Sequence, residues 1–281
     1  MNTNWEQRVV LVTGGASGIG LAAVKRFVGL GAVVEFCGRR KTLGEEIAAD
    51  LGDRARFTQV DVETEDEFAA FIAGAHDRHG RIDGLFNNAG GPAAAGSVAA
   101  IDSDDVDRAY RLLFRSVFYG VKHAAPLMSR QGSGAIVNNA SVAGHLGGYA
   151  TSHLYAAFKA AIIQFTKSVA LELAEDGVRI NSVSPGAIST GIFARGAGMG
   201  SDDADASADT VKKLLKKAQP LARAGVPDDV AATVEFLISD DAGFITGRDL
   251  VVDGGLIAGR RFSDVESGRA AMKAALGAAK D

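Results

Sequence analysis

Cysteine, proline and clustered positive charge are all scarce in this chain, and each scarcity removes a class of protein. The one cysteine, Cys37, cannot close an intramolecular disulfide, which excludes a disulfide scaffold and suits a reducing compartment. Prolines number five against 35 glycines, so the glycine excess over the usual ~7% reads as tight backbone approaches rather than a disordered linker. Lysine plus arginine (30) falls below aspartate plus glutamate (34), giving a net charge of −4. No dense basic stretch tracks a phosphate backbone, so nucleic acid is not an expected partner. No window approaches the ~18 uninterrupted apolar residues of a membrane helix. The opening MNTNWEQR has no basic region followed by an apolar stretch, so the expected location is cytoplasmic, with no membrane partner.

What is present is ordinary for a globular protein: 47% hydrophobic and 23% charged residues over 281 positions. Short apolar runs alternate with longer helical patterns up to about residue 255, the ordering of a parallel sheet with helices on both faces. Strands are predicted at 9–13, 32–37, 55–60, 82–87, 134–139, 178–184 and 249–254, and helices at 18–30, 41–51, 64–79, 103–129, 154–175 and 227–239. The strands are too continuously apolar for solvated hairpins and should be buried on both faces. The prediction is a single α/β domain over 1–281 with a doubly wound, seven-stranded parallel sheet. In 191–225, GAGMGSDDADASAD breaks any periodicity before TVKKLLKKA resumes it, and a long irregular excursion of this kind reads as a substrate lid ahead of the other reading, a disordered surface insert. The tail, 256–281, reads as a weak helix, with packing on a neighbouring subunit and fraying both open.

TGGASGIG, Thr13 to Gly20, follows the first strand and opens the first helix. Its glycines fall where the chain must turn sharply, and bare amides at a helix N-terminus attract phosphate. A nucleotide-triphosphate loop would continue with Lys and Ser or Thr, but Leu21 and Ala22 stand there. A structural turn remains open; the place between strand and helix favours a dinucleotide. At the end of the second strand, where an acid would bond a free ribose 2′-hydroxyl, stand Gly38, Arg39 and Arg40. A guanidinium favours a 2′-phosphate, so NADP is expected ahead of NAD, with solvated loop charges as the other reading. Glu35 lies too early to reach the ribose and reads as a strand residue.

Tyr155 and Lys159, four positions apart on a predicted helix, stack on one face. A free phenol titrates near ~10 and is about 0.1% ionised at neutral pH. An adjacent ammonium and an oxidised nicotinamide would lower that value and make Tyr155 a usable general acid/base. Ser141, just past the fifth strand, can donate a hydrogen bond to a substrate oxygen.

Together these residues resemble the short-chain dehydrogenase/reductase family, from about Arg8 to Gly255. The resemblance implies a Rossmann-type fold, an NAD(P)-dependent interconversion of a secondary alcohol and a ketone, catalytic Ser141, Tyr155 and Lys159, and a homotetramer. It implies cofactor contacts from Gly14, Ser17, Gly18, Ile19 and Gly20 in the turn, Arg39 beyond the second strand, and Asp61 with Val62 at the adenine. Tyr155 and Lys159 would touch the cofactor too. NNAG supplies Asn88, Ala89 and Gly90, and PGAIST, which resembles the segment holding the nicotinamide carboxamide, supplies Pro185, Gly186, Ile188 and Thr190. PLARAGVPDDVA and ITGRDLVVDGG resemble the C-terminal signature. Two departures stand out. Leu113 occupies the position of the family's catalytic asparagine, which bends its helix so that a carbonyl holds a water near the lysine, so a weaker or rerouted proton relay is expected. Ser141 and Tyr155 are fourteen positions apart, one more than the commonest gap, which a loop insertion absorbs. Two alternatives follow: a dinucleotide-binding regulator with vestigial redox chemistry, suggested by Leu113, and a cofactor-free dehalogenase-like member, disfavoured by the intact lysine and glycine turn.

Other clusters read as bland. His76 and His79 lack a carboxylate or cysteine partner and suit a helix C-terminus, so no metal site is expected. Asp202, Asp203, Asp205 and Asp209 read as a solvated acidic loop without the pattern of a calcium loop. Lys212, Lys213, Lys216 and Lys217 flank Leu214 and Leu215 as a polar face around a packed stripe. Phe193, Ala194, Ala197 and Met199 hint at an apolar small-molecule substrate.

Overall fold

In the computed structural model, which describes residues 4–277, the first strand β1 (Val9–Thr13) sends Val10 and Val12 into one core and Val9 and Leu11 into another. That two-sided burial is why the run is continuously apolar, and it fixes the layering. Beyond β1 come α1 (Gly18–Gly29), β2 (Val33–Gly38), α2 (Lys41–Leu51), β3 (Ala55–Gln59), α3 (Glu65–His79) and β4 (Gly84–Asn87). They are followed by α4 (Ser103–Tyr110), a π-helical turn (Arg111–Arg115), α5 (Ser116–Gln131), β5 (Gly134–Asn139), α6 (His153–Ala174) and β6 (Val178–Pro185). The chain continues through α7 (Ile192–Gly196), α8 (Ser201–Ala206), α9 (Ala208–Leu214), α10 (Pro227–Ile238), β7 (Asp249–Val252) and α11 (Phe262–Ala275).

All seven strands are parallel, in the order β3-β2-β1-β4-β5-β6-β7. This is the Rossmann-type doubly wound sheet. One core joins Phe27 of α1 and Val234 of α10 to Val34, Phe36 and Phe86; the other joins Phe68 and Ile72 of α3 and Met128 of α5 to Leu85, Ile136 and Ile180. Strand order reverses between β1 and β4, so the crevice beyond Thr13 and Asn87 is where a ligand fits such a sheet.

Several expected boundaries shift for visible reasons. The strand expected from 82 begins at Gly84, because the Asp83 carboxylate takes the Val9 N–H at 2.9 Å. The strand expected to reach 254 stops at Val252, where Asp253 accepts from the amides of Gly255 (2.7 Å) and Ile257 (2.8 Å) and turns the chain. The single helix expected over 103–129 is broken by the π turn at Arg111–Arg115. The stretch 191–225 is more ordered than its composition suggests, since it holds α7, α8 and α9. Leu214 does not pack there as expected; it is 77% exposed, and Val211 is the buried residue of α9. In the tail, α11 carries no buried residue; positions 1–3 and 278–281 of the expected domain lie outside the described residues. Among the described residues no helix is long and apolar enough to cross a membrane.

Candidate active site

The glycine turn is shaped by what a side chain would strike. Gly14 has φ +65° and Gly18 φ +54°, conformations that favour glycine, and a Cβ on Gly20 would overlap the Gly14 carbonyl oxygen. Ser17, at the head of α1, makes no capping bond with its side chain, so the first amides of the helix lack a side-chain acceptor from it. The turn is tied to the end of β4 through Thr13, whose hydroxyl oxygen accepts the amides of Asn88 and Ala89, both at 2.9 Å. Asn88 Nδ2 donates to the Thr13 carbonyl (3.0 Å), and Asn139 Nδ2 donates to Asn88 Oδ1 (2.9 Å), linking the ends of β1, β4 and β5.

A cleft opens over this junction. Its walls include Gly14, Ser17, Gly18 and Ile19 from the turn, Arg39 beyond β2, Asp61 and Val62 beyond β3, and Asn88, Ala89 and Gly90 beyond β4. Tyr155, Lys159 and Thr190 complete the expected residues found there. Gly20, Pro185, Gly186, Ile188 and Ser141 are not among the lining residues. Gly20 stands behind the turn. Gly186 is pressed against Asp253, and Ile188 is buried beside Gly225, so both serve the packing that holds Thr190 forward. Residues not expected from the sequence also line the cleft, among them Leu112, Asn139, Ile192, Arg195 and Ser201. They come from the π turn, β5 and the 191–225 excursion, and which individual residues of these segments border the cleft carries no local sequence signal.

Ser152 caps α6 by accepting the Tyr155 amide at 3.2 Å, which starts the helix so that Tyr155 and Lys159 face the cleft together. The segment 145–151 lies outside regular elements and takes up the long Ser141–Tyr155 spacing. Burial pushes the Tyr155 phenol above its ordinary value, and the hydrogen bond with the Ser141 hydroxyl pulls it partly back. Lys159 Nζ lies 5.5 Å from the Tyr155 ring centroid and donates to the Asn139 carbonyl at 2.6 Å; burial pushes it down to about 8. The expected loosening of the phenolic proton is therefore not delivered by the ammonium alone, because desolvation opposes both charged forms.

Leu113 sits in the π turn, 1% exposed, and the turn forms without an asparagine there. Aromatic packing of Tyr110 and Phe114 against Phe158 and Phe165 of α6 braces it, and the Ser116 hydroxyl donates to the Leu112 carbonyl at 2.6 Å. A π turn leaves carbonyls out of the regular ladder. The helix thus departs from regular α geometry at this position with leucine in place of the asparagine.

His79 does have a carboxylate partner: its Nε2 is 2.9 Å from Oε1 of Glu35, which also accepts from Arg78 Nε at 2.9 Å. This pairing satisfies a fully buried strand carboxylate, and among the described residues no group of three His, Cys, Asp or Glu could hold a metal. Cys37 is buried, with its thiol pushed up to about 12 by desolvation, so it is inert. Asp202 and Asp205 are not simply solvated. They lie in α8 and pair with Arg40 at 3.0 and 2.8 Å.

Residues 14–257 match the family model described as enoyl-(acyl carrier protein) reductase. The chain is 37% identical over 254 residues to momilactone A synthase of Oryza sativa subsp. japonica, covering 89% of each chain. The chain belongs to the short-chain dehydrogenase/reductase family. It is also 38% identical over 255 residues to a 4-formylbenzenesulfonate dehydrogenase of Comamonas testosteroni, covering 90% of this chain and 98% of that one. A crystal structure of levodione reductase superposes with a TM-score of 0.81 at 32% identity, covering 90% of this chain and 99% of the other. As a short-chain dehydrogenase/reductase the protein is an oxidoreductase that works with a nicotinamide dinucleotide. The cleft fits that group: its turn holds Gly14 and Gly18 at positive φ, with Gly14 close against Ala89, the α1 amides face it without a Ser17 cap, and Asn139 Oδ1 is buried there without a partner.

Proposed function

We propose that this oxidoreductase interconverts a secondary alcohol and a ketone, with Tyr155 as general acid/base, Ser141 as donor to the substrate oxygen, and Lys159 as the residue that holds the cofactor ribose and tunes the phenol. The observation that carries the reading is the convergence of a Ser141-bonded Tyr155 phenol and a buried Lys159 ammonium on the glycine-floored cleft. When bound, the nicotinamide dinucleotide supplies or takes up the hydride, and its oxidised ring adds positive charge beside the phenol. In reduction, Tyr155 gives its proton to the carbonyl oxygen while Ser141 steadies the developing charge. In oxidation, Tyr155 takes the alcohol proton. Burial raises the Tyr155 phenol and lowers the Lys159 ammonium, so the chain by itself favours the protonated phenol, the form that gives its proton in reduction.

Gly14, Ser17, Gly18, Ile19 and Gly20 would receive the pyrophosphate, Asp61 and Val62 the adenine, Asn88, Ala89 and Gly90 the inner ribose, and Pro185, Gly186, Ile188 and Thr190 the carboxamide end. Arg39, exposed at the adenosine end, favours NADP over NAD. The 191–225 segment serves as substrate lid, with partly exposed Phe193 and Met199 as its apolar surface. Exposed Phe118 on α5 and Leu171 on α6 support packing of those helices between copies in a homotetramer.

Tyr155→Phe tests the core of this reading. Turnover on a panel of secondary alcohols and ketones should fall by about a hundredfold or more, while cofactor fluorescence titration stays unchanged. Retained turnover, or a native protein that binds cofactor yet reacts with no member of the panel, would overturn it.

A further inference from the structure

Arg40 stands where the cofactor's adenosine ribose is expected, yet its guanidinium is already claimed from the other side of the cleft. Its Nη1 donates to Asp202 at 3.0 Å and its Nη2 to Asp205 at 2.8 Å, across 162 and 165 positions of sequence. Asp205 is held in turn by Arg195 Nη1 at 2.8 Å. Arg40, Arg195 and Ser201 line the same cleft as the glycine turn. The lid helix α8 is set tightly, with Ala204 fully buried and Asp205 and Ala204 packed so closely on Gly191 that a Cβ there would not fit.

We propose that Asp202 and Asp205 are cofactor-specificity residues carried by the lid, which occupy Arg40 and so penalise the 2′-phosphate of NADP relative to the 2′-hydroxyl of NAD. The inference rests on the dinucleotide reading of the cleft. A 2′-phosphate carries about −1.5 to −2 charges at neutral pH, and to reach Arg40 it must displace two carboxylates and be held near them. A hydroxyl carries no charge and leaves the Arg40 pairs intact. Arg39, exposed at the same rim, stays available to the phosphate. Specificity here is split: strand β2 offers the arginines, and a segment more than 160 residues away decides how much of their charge the phosphate meets.

The test is fluorescence titration of NADPH and NADH on native protein, Asp202→Asn, the Asp202→Asn/Asp205→Asn double variant, and Asp203→Asn as a control that removes one charge from the same helix without breaking an Arg40 pair. The double variant should bind NADPH about three- to tenfold tighter with NADH nearly unchanged, the size expected for partly exposed ion pairs. Exposed Asp202→Asn should show part of the shift, and Asp203→Asn little. In an Arg40→Ala background the double substitution should no longer move the NADPH-to-NADH ratio. An unchanged ratio in a protein that binds both nucleotides, an equal shift in the Asp203 control, or a full shift without Arg40 would overturn the lid role alone. Failure of native protein to bind either nucleotide would overturn the dinucleotide reading and this one with it.

Discussion

The ammonium of Lys159 donates to the backbone carbonyl of Asn139 across 2.6 Å, placing a buried charge between the end of β5 and the second turn of α6. Its pKa falls from 10.5 to about 8 by desolvation. Between those values the unfolded chain holds more protons than the folded one, so this group's contribution to stability is complete above 10.5 and is lost as pH falls through about 8. At about 1.4 kcal/mol per unit, the native protein should gain roughly 2–3 kcal/mol on Lys159→Met between pH 7 and pH 10. Urea unfolding at the two pH values measures it, and a pH-independent difference would show that the fold does not desolvate the amine.

Leu113 gives a second expectation. The π turn forms with leucine in place, so Leu113→Asn should change how protons reach the site rather than create the site. Its burial makes the amide costly, by roughly 2–3 kcal/mol of stability. Turnover followed across pH should show an altered rate or a displaced limb. An identical rate and profile in a folded variant would mean that this position takes no part in the proton relay.

Gly20→Ala tests the turn itself. A methyl group there would collide with the Gly14 carbonyl oxygen, and backbone yields less readily than a flexible side chain. A loss of about 1–3 kcal/mol is expected, together with weakened cofactor binding, because the displaced residue forms the cleft floor. Calorimetry and fluorescence titration read the two effects separately. A variant native in both would show that the turn relaxes freely.

Arg39→Ala addresses the cofactor. Loss of one charge-assisted contact should weaken NADPH about tenfold and leave NADH nearly untouched. Native protein that binds NADH much more tightly than NADPH would overturn the arginine reading at its root.

Much of the architecture could be read from residue order, for a specific reason. Strands such as Val9–Thr13 and Gly134–Asn139 are apolar on both faces because helices cover both, and that signal is local. The glycine turn was equally legible, since φ +65° at Gly14 is a backbone demand that the residue type announces. Helix interruption was not: Arg111–Arg115 has ordinary helix-forming composition, and the π turn packs through Tyr110 and Phe114 on α6, a helix distant in sequence. His79 looked unpartnered because Glu35 is 44 positions away.

By itself the chain order determined the layer scheme, the place of the glycine turn and the shared helix face of Tyr155 and Lys159, all set by periodicity or by contacts within a few residues. The tertiary structure alone decided the direction in which burial moves Tyr155 and Lys159, and which acids face Arg40. Desolvation and ion pairing depend on what remote segments bring to a point in space, and no local pattern encodes the approach of α8 to the end of β2.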